Sequence, residues 1–216
     1  MDRMARTPAS GTSTRDRLLR AAEEQFATRG VHGAQLRDIV AQAGQANPSA
    51  VQYHFGSREG LLAQLLAERQ RRVEDALTAL GVDVDTATLP QLLRALIAAE
   101  GGELRTERGR HCLRITAQLS HDSGVRTRTP HPGLTGTGYW RLICALERPL
   151  TALPTPLPEP VRLERIDLAL SLIGTALAER ARQLTSGEPP LTEEPAFLAD
   201  LAAVSAAMLT TPHPHS

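Results

Sequence analysis

The chain lacks lysine altogether, because all 24 of its lysine-plus-arginine side chains are arginine. This absence fits the codon bias of a GC-rich genome at least as well as a functional demand. The 24 acidic side chains bring the formal net charge to zero. A globally basic protein, whose overall charge attracts nucleic acid, is therefore excluded. Any DNA-binding site has to be a local patch.

Aromatic residues are also scarce, at 3% of the 216 residues, whereas alanine and leucine are abundant. Alanine and leucine favour helices, while strands are enriched in aromatic and β-branched residues. A chain of this length can bury a substantial core in one or two domains. The composition predicts an all-α protein.

Only two cysteines are present, Cys112 and Cys144, and they are far apart in the sequence. Without a CxxC spacing they argue against a disulfide framework or a structural zinc, and they suit a reducing compartment. Together with His111 and His121, the two cysteines do not show the compact spacing of metal ligands, so we expect no metal site.

Long apolar runs are missing as well. The longest charge-free apolar run, residues 168–178, is about half of a membrane span. The N-terminus lacks the apolar core of a signal peptide. We therefore expect a soluble protein without membrane contact, located in the cytoplasm.

Capping and helix-breaking residues punctuate the N-terminal part of the chain. A helix begins at residue 13 or 14 and ends at Gly30. A second short helix is followed by Gly44, where a chain reversal requires a positive φ. Asn47 is a good N-cap and Pro48 is favoured at the first helical position, so a third helix is predicted to begin at Pro48.

Proline divides the remainder of the chain. Ser57 can cap a fourth helix, which runs to about residue 80. Further helices are predicted at 90–104, 108–120, 139–153, 161–184 and 195–209, with a long loop over 121–138. The predicted parts are a flexible arm (1–12), a small helical domain (13–60), a larger helical domain (61–210) and a disordered tail (211–216).

The third helix has one polar and one apolar side. At 100° per residue, Ser49, Gln52 and Tyr53 share the polar side. The opposite side carries Val51 and Phe55. Glutamine can pair with adenine, and serine and tyrosine can contact bases or phosphates. Two short helices joined by a glycine turn form a helix-turn-helix, so this polar side predicts a DNA-reading face; a solvated helix face is the alternative.

The N-terminal motifs resemble those of the TetR (tetracycline-repressor) family. They are residues 14–22 (TRDRLLRAA), 26–30 (FATRG), 37–39 (RDI), 43–44 (AG) and 53–61 (YHFGSREGL). Over residues 13–66 many individual residues match the family motifs. Beyond residue 66 only the general pattern of the sequence is similar. The resemblance implies a homodimer of about nine helices per chain, with helices one to three binding DNA. The last two helices would form the dimer interface, and a small ligand in the larger domain would release the DNA.

Residue by residue, the resemblance implies that Arg37 contacts the groove or a phosphate. Tyr53 and His54 would lie at the DNA backbone, and Arg58 would bind a phosphate. The turn before the third helix is one residue longer than the usual family pattern, and Gln35 stands where the family often has a capping threonine. The predicted DNA-binding residues are Gln35, Arg37, Asn47, Ser49, Gln52, Tyr53, His54 and Arg58.

Two further sites are predicted in the larger domain. Apolar residues recur at helical spacing in the last two helices. Such stripes can belong to an internal core, but here they favour a dimer seam, that is, an interface between two copies of the chain. That seam comprises Leu170, Ile173, Leu177, Phe197, Leu201, Val204 and Met208. Polar and aromatic residues of helices six and seven are candidates for a ligand pocket: His111, Cys112, Arg114, Gln118, His121, Tyr139 and Trp140.

These features predict a ligand-responsive transcriptional regulator, most directly a repressor released from a palindromic operator in double-stranded DNA. We expect no cofactor, only an unidentified small-molecule effector. A helical adaptor that has lost DNA binding is the alternative, since the chain is neutral and the turn is altered. An enzyme is less favoured, because no nucleophile elbow, phosphate loop, zinc pair or dinucleotide fingerprint occurs.

Overall fold

The structure is a computed structural model that describes residues 13–47, 49–119, 123–155 and 157–212. Every regular element in these ranges is a helix, which confirms the all-α prediction. The chain divides between Leu62 and Ala63 into two compact units. The predicted arm, residues 213–216 of the predicted tail and the helix start at Pro48 lie outside the described residues.

The N-terminal unit contains α1 (Thr14–Arg29), α2 (Leu36–Gln42), α3 (Ser49–Phe55) and the first residues of α4 (Arg58–Leu80). The Ser13 hydroxyl caps α1 by accepting a hydrogen bond of 3.1 Å from the Asp16 amide. The core of this unit consists of apolar side chains from the first three helices, among them Leu18, Leu19, Phe26, Ile39, Val40 and Val51.

Two glycines set the positions of the short helices. Gly44 ends α2 with a φ of 67°, which glycine adopts without a steric cost. A Cβ atom on Gly60 would lie 2.1 Å from the Phe55 carbonyl oxygen, so only glycine lets α4 begin this close to the end of α3. Between them, the Asn47 side chain accepts a hydrogen bond of 2.9 Å from the Ser49 amide, as its predicted capping role requires.

The C-terminal unit contains the rest of α4 and six further helices. They are α5 (Leu89–Gly101), α6 (Glu107–Leu119), α7 (Gly138–Ala145), α8 (Glu147–Thr151), α9 (Glu159–Ser186) and α10 (Glu194–Thr210). Two 3-10 turns, Gly102–Arg105 and Pro132–Leu134, lie between them.

The predicted helix over 139–153 is two helices, α7 and α8. Pro149 has no amide hydrogen to donate to the carbonyl of Ala145, so the hydrogen-bond ladder is interrupted there. The predicted helix over 90–104 likewise ends at Gly101 and continues as a 3-10 turn. The described residues therefore contain ten α-helical segments where about nine were predicted.

The core of the C-terminal unit is built around α5. Leu92, Leu93, Leu96 and Ile97 of this helix are at most 1% exposed. The helix packs against α10 so closely that a Cβ atom on Gly101 would lie 2.8 Å from Leu198. None of the described helices combines the length and apolar character that a bilayer span needs.

Candidate functional site

The outer face of α3 is the candidate nucleic-acid interface. Ser49 and Gln52 are exposed and Tyr53 is 85% exposed, whereas Val51 is 1% exposed. The helix therefore presents the predicted polar trio to solvent and is held to the unit by Val51. The Phe55 ring adds a second attachment, because the guanidinium carbon of Arg15 lies 5.4 Å from its centroid.

His54 lies between these two faces of α3. It is half-buried, and its ring stands edge-on to that of Tyr53 with 4.9 Å between the centroids. The ring of Phe55 is 6.2 Å away on the other side. His54 therefore orients Tyr53 in this structure, and its predicted contact with the DNA backbone stays a prediction.

Arg37, near the beginning of α2, supplies a positive charge close to the start of the helix-turn-helix. Gln35 is the exposed N-cap residue of α2, and its side chain makes no capping hydrogen bond. The Arg37 side chain is 77% exposed and lies 3.5 Å from Asp38, which also pairs with Arg29 at 3.2 Å. Such exposed ion pairs are weak. Arg37 can therefore exchange Asp38 for a phosphate at little cost.

Arg58 is placed differently from the phosphate contact that the resemblance implies. Its guanidinium donates hydrogen bonds to the carbonyl oxygens of Val31 and Ala34, the latter at 3.2 Å. It also lies 5.1 Å from the centroid of the Phe26 ring. These contacts hold the segment between α1 and α2. These contacts indicate that Arg58 stabilises the N-terminal unit, and its predicted phosphate contact stays a prediction.

Residues 18–65 match the model of the bacterial regulatory proteins, tetR family. A region of 92 residues is 35% identical to YdgC of Bacillus subtilis (strain 168), an uncharacterized HTH-type transcriptional regulator. The aligned region covers 43% of this chain and 47% of YdgC, so the chain spans about half the length of that relative.

The N-terminal segment of the chain, residues 18–65, is thus similar to the TetR family. All eight predicted DNA-binding residues lie within the segment that matches the TetR family model, and the predicted dimer and ligand residues lie outside it. A TetR-like transcriptional regulator from Rhodococcus sp. RHA1 shares the fold over 96% of this chain and all (100%) of its own, with a TM-score of 0.50 and 19% identity. AmtR of Mycobacterium smegmatis aligns over 96% of this chain and 91% of its own, with a TM-score of 0.49 and 20% identity.

The C-terminal unit contains a cavity of about 240 Å³. Its lining comes from residues 125 and 128, from α7, from the start of α8 and from the first half of α9. Trp140 is the one predicted pocket residue among the lining residues, which are Val125, Arg128, Trp140, Ile143, Cys144, Glu147, Leu163 and Ile166.

Cys112 and Tyr139, also predicted for the pocket, adjoin a group of buried ion pairs. Arg69 pairs with Glu100, and both side chains are less than 9% exposed. Arg72 donates to both carboxylate oxygens of Glu103 at 2.9 and 2.6 Å, and its Nη2 lies 3.6 Å from the Cys112 sulfur. Burial and the nearby Glu100 carboxylate raise the pKa of the Tyr139 phenol well above its usual value. The cluster joins α4 to α5 and α6, which indicates a structural role.

The other predicted pocket residues that the structure describes lie on α6. His111 is buried and Arg114 is half-buried on α6. Gln118 is exposed, with its side chain donating to the Arg114 carbonyl at 2.9 Å. His121 lies outside the described residues. Among the residues that the structure describes, no group of three or more His, Cys, Asp or Glu side chains could hold a metal ion.

Three residues of the predicted dimer seam belong to the monomer core. Ile173, Leu177 and Leu201 are 3%, 0% and 6% exposed and pack within the C-terminal unit. Leu170, Phe197 and Met208 are half-buried against this core. The assignment of the first three to an intermolecular surface is corrected accordingly, because the apolar stripes of α9 and α10 are already covered by neighbouring helices.

Other residues of these two helices remain uncovered in the single chain. Val204 of the predicted seam is 48% exposed, and Leu168 of α9 is 59% exposed. Ala203 and Ala207 lie exposed beside Val204 on α10. Sequence periodicity missed Leu168 because, at 100° per residue, it lies on the side of α9 opposite the stripe of Leu170, Ile173 and Leu177.

Proposed function

We propose that the protein is a ligand-responsive transcriptional repressor that binds a palindromic operator as a homodimer. The proposal rests on one observation above all: α3 exposes Ser49, Gln52 and Tyr53 together on a helix that Val51 anchors. An exposed polar helix that follows a glycine turn can enter the major groove. Acting on such an operator places the protein in the cytoplasm with the nucleoid.

Some of the exposed side chains can contact bases, and others can contact phosphates. Gln52 can form two hydrogen bonds with an adenine edge, and Ser49 can donate to or accept from a base. Arg37 is exposed at the start of α2 and can bind a phosphate, which adds affinity without sequence preference. Because the net charge of the chain is zero, we expect binding to depend on this local set.

The test uses the full chain and DNA fragments from upstream of its own gene. Fluorescence anisotropy should show binding to a palindromic fragment that weakens steeply as salt is raised, since phosphate contacts release counterions. Gln52→Ala should cost about 1–3 kcal/mol on that fragment and reduce discrimination at one base pair. Gln70→Ala is the matched control, because Gln70 bonds to Glu74 on the same helix of the C-terminal unit.

Retention of no DNA by the wild-type chain, even at low salt, would favour the second candidate, a helical adaptor without DNA binding. The neutral charge of the chain and its longer turn before α3 are what support that candidate. An unchanged binding curve for Gln52→Ala would contradict the assignment of α3 as the reading helix.

The proposed dimer uses the exposed sides of α9 and α10. Leu168 on α9 and Val204 on α10 are large apolar side chains left in solvent, and the exposed Ala203 and Ala207 allow a second helix to approach closely. A dimer would also give the two reading helices that a palindromic operator requires. The proposed effector binds in the C-terminal unit and lowers the affinity for the operator.

A further inference from the structure

Residues 123–129, here called the strap, contribute Val125 and Arg128 to the wall of the cavity in the C-terminal unit. The strap folds on itself through a hydrogen bond of 3.0 Å from the Thr129 amide to the Gly124 carbonyl. Ser123 attaches it to α9 by donating to Asp167 at 2.6 Å. Val125 points inward and is 5% exposed. The strap is therefore an ordered wall of the cavity.

Arg128 fixes the other end of the strap. Its backbone has a φ of 57°, and it is the one residue other than glycine with a positive φ in the described ranges. Such a conformation persists where surrounding contacts hold it. Its guanidinium donates to both oxygens of Glu147, each at 3.0 Å, and to Glu159 at 2.7 and 3.1 Å. These bonds connect the strap to the beginnings of α8 and α9.

The charged groups at the cavity satisfy one another. Glu147 also accepts from the Nε and Nη2 atoms of Arg162 at 3.1 and 3.0 Å. The hydrogen bonds from Arg128 lower the pKa of Glu147, so this carboxylate stays ionised near neutral pH. Two arginines and two glutamates, counting Glu159, thus balance to zero charge. Each of these four charged groups therefore already has a partner of opposite charge within the chain.

The rest of the lining is apolar. Ile143, Leu163 and Ile166 provide aliphatic surface, and Trp140 provides an aromatic surface. Cys144 is exposed, but partial desolvation raises the pKa of its thiol, which stays neutral near pH 7. The indole N–H of Trp140 has no acceptor in the part of the chain that the structure describes. The lining therefore offers dispersion contacts, an aromatic face and one spare donor.

We propose that this cavity is the effector site and that it takes a small, uncharged, planar aromatic molecule. The inference rests on the proposed ligand response and specifies its chemistry. A volume of about 240 Å³ admits a single substituted ring. A charged ligand would lose its hydration on entering and would meet a set of ion pairs that is already balanced, so no free opposite charge would compensate its desolvation.

The experiment measures binding to the full chain without DNA. Trp140 is the only tryptophan of the protein, so its fluorescence reports on the cavity wall directly. Benzamide, benzoate and benzylamine serve as probes of nearly equal size that are neutral, anionic and cationic. Benzamide should change the Trp140 emission saturably, and the two charged probes should bind at least about tenfold more weakly.

A pair of leucine substitutions locates the binding. Leu163→Phe fills the cavity and should weaken benzamide binding at least about tenfold, because overpacking removes the space the ring needs. Leu80→Phe at the exposed end of α4 is the matched control and should leave it unchanged. If far-ultraviolet circular dichroism shows Leu163→Phe to be unfolded, the comparison of the three probes on the wild-type chain decides alone.

The inference is overturned by any of three results: no saturable response to benzamide, equal binding of a charged probe, or full benzamide binding by folded Leu163→Phe. A chain that binds its operator but not benzamide refutes the effector site and leaves DNA binding intact. A chain that binds benzamide but no DNA refutes the proposed regulator instead.

Discussion

Arg58 stands at the start of α4, yet its guanidinium turns back to the segment between α1 and α2. It bonds to the carbonyls of Val31 and Ala34 and lies over the Phe26 ring. Arg37, in contrast, is 77% exposed at its side chain. The two arginines thus make different contacts in the chain, because one finds protein acceptors and the other faces solvent.

Arg58→Ala should therefore lower the free energy of unfolding by about 1–3 kcal/mol, since it leaves two part-buried carbonyls without a donor. Arg37→Ala should change that free energy by less than about 0.5 kcal/mol. Thermal or urea unfolding followed by circular dichroism measures both.

Operator binding provides the complementary readout for this pair. Arg37→Ala should weaken binding to all DNA sequences alike and reduce the salt dependence by about one phosphate contact. An Arg58→Ala variant of unchanged stability that loses affinity for DNA would support the predicted phosphate contact of Arg58 and contradict its stabilising role.

At the scale of elements, the junction of α3 and α4 decides how the reading helix is held. Gly56 turns the chain with a φ of 73°, the Ser57 hydroxyl caps α4 by accepting from the Gly60 amide at 3.0 Å, and Gly60 lies against the end of α3. The local sequence specifies all three features. Their combined effect is to fix the C-terminal end of α3 to the unit that carries it.

Gly60→Ala should destabilise the N-terminal unit by about 1–3 kcal/mol, because its methyl group would overlap the Phe55 carbonyl oxygen. Gly174→Ala in α9 is a control that should change the stability in the opposite direction. Nothing lies within 4 Å of a Cβ atom placed there, so helix propensity should stabilise that variant by up to about 1 kcal/mol. Chemical denaturation curves compare the two, and equal stability of Gly60→Ala and wild type would refute the close contact.

For the whole molecule, the exposed apolar residues of α9 and α10 raise the question of assembly. Leu168 is 59% exposed and Val204 is 48% exposed in the single chain, and α10 is apolar around its circumference. Burial of this surface against a second copy is the proposed solution. It would also supply the two-fold symmetry of a palindromic operator.

Val204→Arg should shift the chain from dimer to monomer in sedimentation velocity at micromolar concentration, because it places a charge in the centre of the proposed interface. Leu191→Arg is the control, since Leu191 is fully exposed between α9 and α10 and should leave the dimer intact. A wild-type monomer at the same concentration would contradict the proposed assembly.

The sequence by itself determined the helical composition, the capping residues and the two faces of α3. These features depend on residues within one or two turns of each other, whose spacing is visible in the chain. The family motifs of residues 18–65 belong to the same local class.

Only the tertiary structure decided which partners distant residues find. Arg58 donates to carbonyls 24 and 27 residues away in the sequence. Ile173, Leu177 and Leu201 lie in the monomer core. Arg128 pairs with Glu147 and Glu159, which are 19 and 31 residues away. A helical stripe shows that a face is apolar, but what covers that face depends on the packing of the other helices. The same holds for the cavity, whose walls come from four separate segments of the chain.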